Sequence, residues 1–218
     1  LVSTPTGAAI WIDHTFDNYI GGSLIQQRNV ISNHHLGVLI IGRGPNHLHR
    51  NYVGTNLNGD LTGSGIRNDQ GIRVVDSLDN QIGGPDLGNI ISHNGKGVVV
   101  ACDPNASNAY GNTISQNSIA RNDELGIDLQ DDGVTLNDPY DPVLGHDYDL
   151  GGNDRQNFPR IQSATYISVL DKTLVSGHLR TNGSRPYLIE FFTNRRSDPL
   201  YPFGEGTTYV DSKSVNTN

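Results

Sequence analysis

The stretch DNQIGGPDLGNIISHNGKGVVV, Asp79–Val100, places Asn and Gly at regular intervals between Ile and Val. Both residue types are depleted in ordinary strands, so their regular spacing needs a structural reason. Parts of the stretch occur twice. DNYIGG at 17–22 returns 62 residues later as DNQIGG at 79–84, and RNVISNHHLGVLI at 28–40 returns 60 residues later as GNIISHNGKGVVV at 88–100. A repeat at this distance indicates an architecture built from similar units.

A smaller unit, Asn-x-apolar, lies inside the repeats and marks strands of two or three residues. Strands this short do not form a free-standing sheet. They are stable when coils of about 20–25 residues stack, so that each strand pairs with its equivalent on the next coil. Asn89 and Asn112, like Asn94 and Asn117, are 23 residues apart, and we predict that this spacing is one coil. The units begin at Asn18, Asn29, Asn46, Asn51, Asn80, Asn89, Asn112 and Asn117.

Stacked coils assign different places to the apolar and the polar residues. We predict that Ile82, Ile91 and Val99 point into the core. The asparagines of the same stretch lie at corners, where their amides pair with those of adjacent coils and tolerate left-handed backbone; they are Asn80, Asn89 and Asn94. An antiparallel sandwich with Asn and Gly turns is the alternative, but hairpins do not explain a repeat offset near 60.

Charge and composition exclude several classes of protein. The 218 residues carry a net charge of −8, and most of the excess acid lies in residues 1–155. A surface of this sign repels phosphate, so we expect no nucleic-acid partner. We also expect no membrane span, because no run approaches the ~18 apolar residues that one requires. The single Cys102 excludes an intrachain disulfide, and the lack of a signal segment suggests a mature or excised fragment.

Several motifs carry a family resemblance across residues 10–161. GNIISHNGKGVVV, GNTISQNSIARNDELGIDLQDDGVTLNDP and QNFPRI are similar to the Asn/Gly repeats of bacterial secreted right-handed parallel β-helix proteins, the NosD-like and pectate-lyase-like group. The resemblance implies an all-β right-handed parallel β-helix over residues 1–155, closed by an acidic cap loop at about 128–155. It also implies an extracellular or cell-surface location.

The composition changes after residue 155. Eight of the 15 aromatic residues, but only four of the 26 glycines, lie in residues 156–218. Alternating runs at 160–169, 173–180, 187–193 and 207–215 predict four strands. Together with the resemblance, they indicate a partial Ig-like β-sandwich, and we expect its later strands to lie beyond Asn218.

The acidic loop is the first candidate site. Its carboxylates have no basic residue between them, and Ca²⁺ takes six to eight oxygen ligands of this kind. The spacing does not match an EF-hand loop, and a solvated cap loop whose side chains bond its own turns is the alternative. The candidate calcium ligands are Asp128, Asp131, Asp132, Asp138, Asp141, Asp147 and Asp149.

Histidines form a second candidate site. Because alternate residues of a strand share a face, His47 and His49 are predicted to project together. A divalent metal or acid–base chemistry would suit such a pair. The alternative is that these histidines, like His34, His35 and His93, are surface residues at corners.

Two functions follow from these observations. The first is a non-catalytic surface module for carbohydrate binding, adhesion or scaffolding. We place it first because the sequence contains no complete set of catalytic residues. The second is a polysaccharide-active enzyme, a lyase or epimerase before a glycoside hydrolase, working in a groove along one sheet face. Expected partners are a polysaccharide or surface glycan, and self-association through the β-helix ends or the incomplete sandwich is a further expectation.

Overall fold

The structure, a computed structural model, describes residues 7–60, 67–103, 109–138, 150–181, 186–194 and 204–217. These residues form mainly β-strands, with 3-10 helices at Ile25–Gln27 and Gly152–Arg155. No helix among them is long and apolar enough to cross a membrane. The strands are β1 (Ala8–Asp13), β2 (Tyr19–Gly21), β3 (Val30–Ile31), β4 (Leu36–Ile41), β5 (His47–His49), β6 (Tyr52–Val53), β7 (Gln70–Val75), β8 (Gln81–Gly83), β9 (Ile90–Ser92), β10 (Lys96–Ala101), β11 (Thr113–Ser115), β12 (Ser118–Ala120), β13 (Ile127–Leu129), β14 (Arg160–Ile167), β15 (Lys172–His178), β16 (Pro186–Thr193) and β17 (Thr208–Asn216).

Strands β1–β13 build three parallel sheets of stacked strands. Sheet A has the order β1-β4-β7-β10-β13, sheet B the order β11-β8-β5-β2, and sheet C the order β12-β9-β6-β3. The chain visits sheets A, B and C in turn, and we call one such passage a coil. This arrangement is all-β and is compatible with a parallel β-helix.

The core lies between the three sheets. Every coil contributes apolar side chains at equivalent register positions, as Val38, Ile72 and Val98 do in sheet A. Ile82 and Ile91 belong to this core, as predicted. Val99 does not: it is buried, but strand alternation turns it to the outer face of sheet A, while Val98 and Val100 point inward.

Asparagines at the corners form ladders along the stack, which confirms the role predicted for them. In the first ladder, the Asn80 Oδ1 accepts hydrogen bonds from the Asn46 backbone N (3.0 Å) and Nδ2 (3.1 Å). The Asn80 backbone N and Nδ2 in turn donate to Asn112 Oδ1, at 3.1 and 2.7 Å. Each of these asparagines is buried. The ladder supplies hydrogen-bond partners to amide groups that would be costly to bury without them. The three ladders are Asn18-Asn46-Asn80-Asn112-Asn153, Asn29-Asn51-Asn89-Asn117 and Asn68-Asn94-Asn122.

The predicted coil length of 23 residues is wrong. Asn89 stacks on Asn117 and Asn94 on Asn122, each 28 residues further along the chain. Asn112 belongs to a different corner, because every coil carries more than one Asn-x-apolar unit. Loops of unequal length make the ladder steps vary from 22 to 41 residues. The offset of 62 is two coils, since the steps from Asn18 are 28 and then 34 residues.

The C-terminal segment forms two antiparallel hairpins, β14–β15 and β16–β17, with strand bounds within a few residues of those predicted. It contacts the last complete coil through two carboxylates. Glu205 Oε1 accepts from Asn122 Nδ2 at 2.7 Å and from its backbone N at 3.2 Å. Glu190 accepts from Ser115 Oγ at 2.6 Å and from the Gln116 backbone N at 3.1 Å. These carboxylates therefore take the place that the next coil would occupy at two corners.

Candidate functional site

The outer face of sheet A carries different residue types at the two ends of the stack. Strand alternation and register place one outward residue from each strand in a single row, Trp11, Leu39, Arg73, Val99 and Asp128. The row begins with an aromatic and an apolar residue, and its two charged members, Arg73 and Asp128, lie on either side of Val99. Neighbouring strands are about 4.8 Å apart, so Trp11 and Arg73 lie about 10 Å from each other along the stack.

Around Arg73 the face carries a set of mutually bonded polar side chains. Lys96 Nζ lies 2.8 Å from Asp128 Oδ2 and 2.6 Å from Asp131 Oδ1, while Glu124 is 3.6 Å away. Arg73 Nη1 donates to Asp131 Oδ2 at 2.6 Å and to Gln70 Oε1 at 3.0 Å. We call this set the charged cluster; its members are Gln70, Arg73, Lys96, Glu124, Asp128 and Asp131.

Local structure explains why these residues meet. Arg73 and Lys96 come from adjacent strands β7 and β10, and Asp128 comes from β13, the next strand of the same sheet. Asp131 follows β13 with positive φ, which turns the chain back over the face of the sheet. The Gly133 backbone N donates to Asp128 Oδ1 at 3.3 Å and helps to hold this turn.

Electrostatics within the charged cluster favour the ionised forms. Burial lowers the pKa of Lys96, but the hydrogen bonds and charges of Asp128 and Asp131 outweigh it and raise that pKa above its usual value. Burial raises the pKa of Asp131, but Lys96 and Arg73 outweigh this effect and lower it. Two cations face three carboxylates, which leaves one net negative charge.

The exposure of the cluster differs from one member to the next. The Asp128 side chain is fully buried, whereas 24% of Arg73 and 26% of Asp131 are exposed. Among the described residues only Nη1 of Arg73 makes hydrogen bonds, so its Nε and Nη2 donors are available to a ligand. A molecule lying on this face would meet donors and acceptors that are already held in position.

The predicted calcium ligands occupy several environments. Asp128 and Asp131 belong to the charged cluster, and Asp132 accepts from Arg155 Nη2 at 2.6 Å. Asp138 pairs through its backbone with Asn157, whose Oδ1 is 3.1 Å from the Asp138 N. The other three candidates, Asp141, Asp147 and Asp149, lie outside the described residues. Within the part of the chain that the structure describes, no group of three or more His, Cys, Asp or Glu residues is arranged to hold a metal ion. Calcium in this segment stays a prediction.

The predicted pairing of His47 and His49 is confirmed. Both project from the outer face of β5 in sheet B, and their ring centroids are 5.7 Å apart. The exposed ring of Tyr19, on the preceding coil, stacks on His47 with a centroid distance of 4.4 Å. His35 lies outside this pair, and its Nδ1 is 2.7 Å from Asp69 Oδ2.

Sequence reasoning identified neither Lys96 nor Arg73 as a site residue. Arg73 pairs with Asp131, whereas the nearby Arg67 pairs with Asp123. The signal that could have found the cluster is the alignment of the Gly-x-apolar runs. Once these runs are stacked, Arg73, Val99 and Asp128 fall in one row, and Gln70 and Lys96 are register partners at the start of β7 and β10.

Comparisons with protein-family models, with curated proteins and with solved structures found no significant match to this chain. The geometry of the charged cluster and of the histidine pair is therefore the basis for the functional proposals.

Proposed function

We propose that this protein is a non-catalytic, extracellular or cell-surface module that binds carbohydrate on the outer face of sheet A. In this proposal the three stacked sheets are a right-handed parallel β-helix, related to the secreted repeat proteins that the sequence resembles. The hairpins β14–β17 are the beginning of an Ig-like sandwich that caps the stack.

The observation that carries the proposal is the partly exposed charged cluster on the outer face of sheet A. Sugar hydroxyls both donate and accept hydrogen bonds, and they suit a surface on which Arg73, Gln70 and Asp131 present both kinds of group. These side chains hold one another in place, so binding a sugar would cost less side-chain entropy than on a surface of free side chains.

The charge balance favours a neutral glycan over a uronate polymer. Lys96 and Arg73 already bond carboxylates of the protein, and the net charge of the cluster is negative. A polyanion would have to compete with Asp131 for both cations. A neutral chain can instead use the free Arg73 donors and pack a sugar ring on the partly exposed Trp11.

A polysaccharide-active enzyme is the second candidate, and the two carboxylates beside Lys96 favour it. Glycoside hydrolases place a carboxyl group on each side of the scissile bond. Here, however, Lys96 fills the space between Asp128 and Asp131, and the Asp128 side chain is fully buried. These two features leave no room for a sugar between the two acids. We therefore favour carbohydrate binding over catalysis as the function.

A glycan array followed by titration of the best ligand tests this proposal. We expect binding to neutral glycans and an affinity loss of at least about tenfold in Arg73→Ala, equivalent to about 1.4 kcal/mol. Arg67→Ala is the matched control, because it removes another Arg–Asp pair and leaves the charged cluster intact. Equal binding by wild type and Arg73→Ala would contradict the proposed site. Release of sugar or of unsaturated uronate products would favour the enzyme.

A further inference from the structure

The outer face of sheet B carries a second arrangement, separate from the charged cluster. His47 and His49 alternate with the buried Leu48 on β5, so both imidazoles leave the same side of the strand. Their ring centroids are 5.7 Å apart and the rings are tilted by 53°. Two imidazoles at this separation can approach one ion, since the metal–nitrogen bond is about 2.0–2.1 Å long.

Gln81, on the next coil, sets the tautomer of the first histidine. His47 Nδ1 lies 3.1 Å from Gln81 Oε1, and an amide oxygen only accepts hydrogen bonds. His47 Nδ1 is therefore the protonated nitrogen, and Nε2 keeps its lone pair. Metal-binding histidines commonly use their second nitrogen in this way, donating to an oxygen that orients the ring.

The second histidine provides an independent observation. Only 7% of His49 is exposed, and its buried Nε2 makes no hydrogen bond to any described residue. A buried ring nitrogen without a partner is costly unless something binds it.

The neighbours of His49 in both adjacent strands of sheet B are glycines. Gly21 is the register partner of His49 on the preceding coil. On the following coil, where Leu48 pairs with Ile82, the next position along is Gly83. The ring of Tyr19, from the same strand as Gly21, meets the His49 ring edge-on, with the ring centroids 6.4 Å apart.

We infer that His47 and His49 form a binding site for a divalent transition-metal ion, with Gln81 as a positioning residue. Imidazole nitrogens suit Cu²⁺, Ni²⁺ and Zn²⁺, and the order of affinities among divalent ions puts Cu²⁺ first. The pair supplies two protein ligands, and water or an exogenous ligand completes the coordination. This inference goes beyond carbohydrate binding and uses a different sheet.

A titration with Cu²⁺, and separately with Zn²⁺, tests the inference. We expect calorimetry to give one site per chain, and electron paramagnetic resonance of the Cu²⁺ complex to show coupling to two imidazole nitrogens. The double variant His47→Ala/His49→Ala should lose the site. Gln81→Ala should weaken binding by about 10–100-fold, as is usual when an orienting partner of a ligand is removed.

The control is His34→Ala/His35→Ala, which removes the other adjacent pair of histidines and should leave Cu²⁺ binding unchanged. Two results would overturn the inference: no Cu²⁺ binding by the wild type, or binding that survives the loss of His47 and His49. Glycan binding in the double variant separates the two proposals. Loss of metal binding with normal glycan binding assigns the ion to sheet B and the sugar to sheet A.

Discussion

Replacing Asn89 by Ala tests whether the asparagine ladders hold the stack together. The Asn89 side chain is buried and makes four hydrogen bonds. Its Nδ2 donates to Leu48 O (2.8 Å) and to Asn117 Oδ1 (2.9 Å). Its Oδ1 accepts from the Asn51 backbone N (2.8 Å) and from Asn51 Nδ2 (3.1 Å). At about 0.5–1.5 kcal/mol for each bond, Asn89→Ala should lower the free energy of unfolding by about 2–6 kcal/mol.

Asn29 is the matched control, because it lies at the exposed end of the same ladder. Its side chain makes a single hydrogen bond, to Asn51 Oδ1 at 2.9 Å, within the described residues. Asn29→Ala should therefore cost about 1 kcal/mol or less. Urea denaturation followed by circular dichroism and by fluorescence of Trp11, the only tryptophan, measures both variants. Equal losses of stability at the two positions would refute the idea that buried ladder bonds stabilise the stack.

Three further experiments test other parts of the structure. Glu205→Ala removes the acceptor for Asn122 and should cost about 1.5–3 kcal/mol in thermal or urea unfolding, whereas Glu205→Gln should keep most of that stability. Lys96→Met should cost about 3 kcal/mol at pH 7, because it leaves the buried Asp128 carboxylate without its cation. The lowered pKa of Asp131 means that its contribution is present above about pH 4 and is lost as the pH falls, so the acid-side loss of stability should be smaller in Lys96→Met. Because Cys102 is buried, its reaction with a thiol reagent should be slow in the native protein and fast in urea; rapid native labelling would contradict its burial.

The stacked architecture could be predicted because the local sequence patterns all indicate it. The Asn-x-apolar units give short strands, and their two-coil repeat shows that the strands recur at equivalent positions. The buried ladder residues Asn80, Asn89 and Asn94 and the core residues Ile82 and Ile91 follow from this reasoning.

The register could not be predicted from spacing alone. Coils have loops of unequal length, and the same unit marks more than one corner, so Asn112 was matched to Asn89 and not to Asn80. Val99 was assigned to the core for a related reason. In the unbroken apolar run Val98–Val100, hydrophobicity does not reveal which face of the sheet each side chain takes.

The charged cluster was partly visible in the sequence. The concentration of Asp from residue 128 onward marks Asp128 and Asp131, but their cationic partners, Lys96 and Arg73, come from earlier coils. The roles of Glu190 and Glu205 had no local signal, because each depends on contacts that span 74 to 83 residues.

Hydrogen–deuterium exchange with and without a saturating neutral glycan tests the proposed function most directly. If carbohydrate binds the outer face of sheet A, exchange should slow in β7, in β10 and in the turn around Asp131, with little change in sheets B and C. Protection confined to another sheet or to the hairpins, or no protection with any glycan that the protein binds, would contradict the assignment of the site.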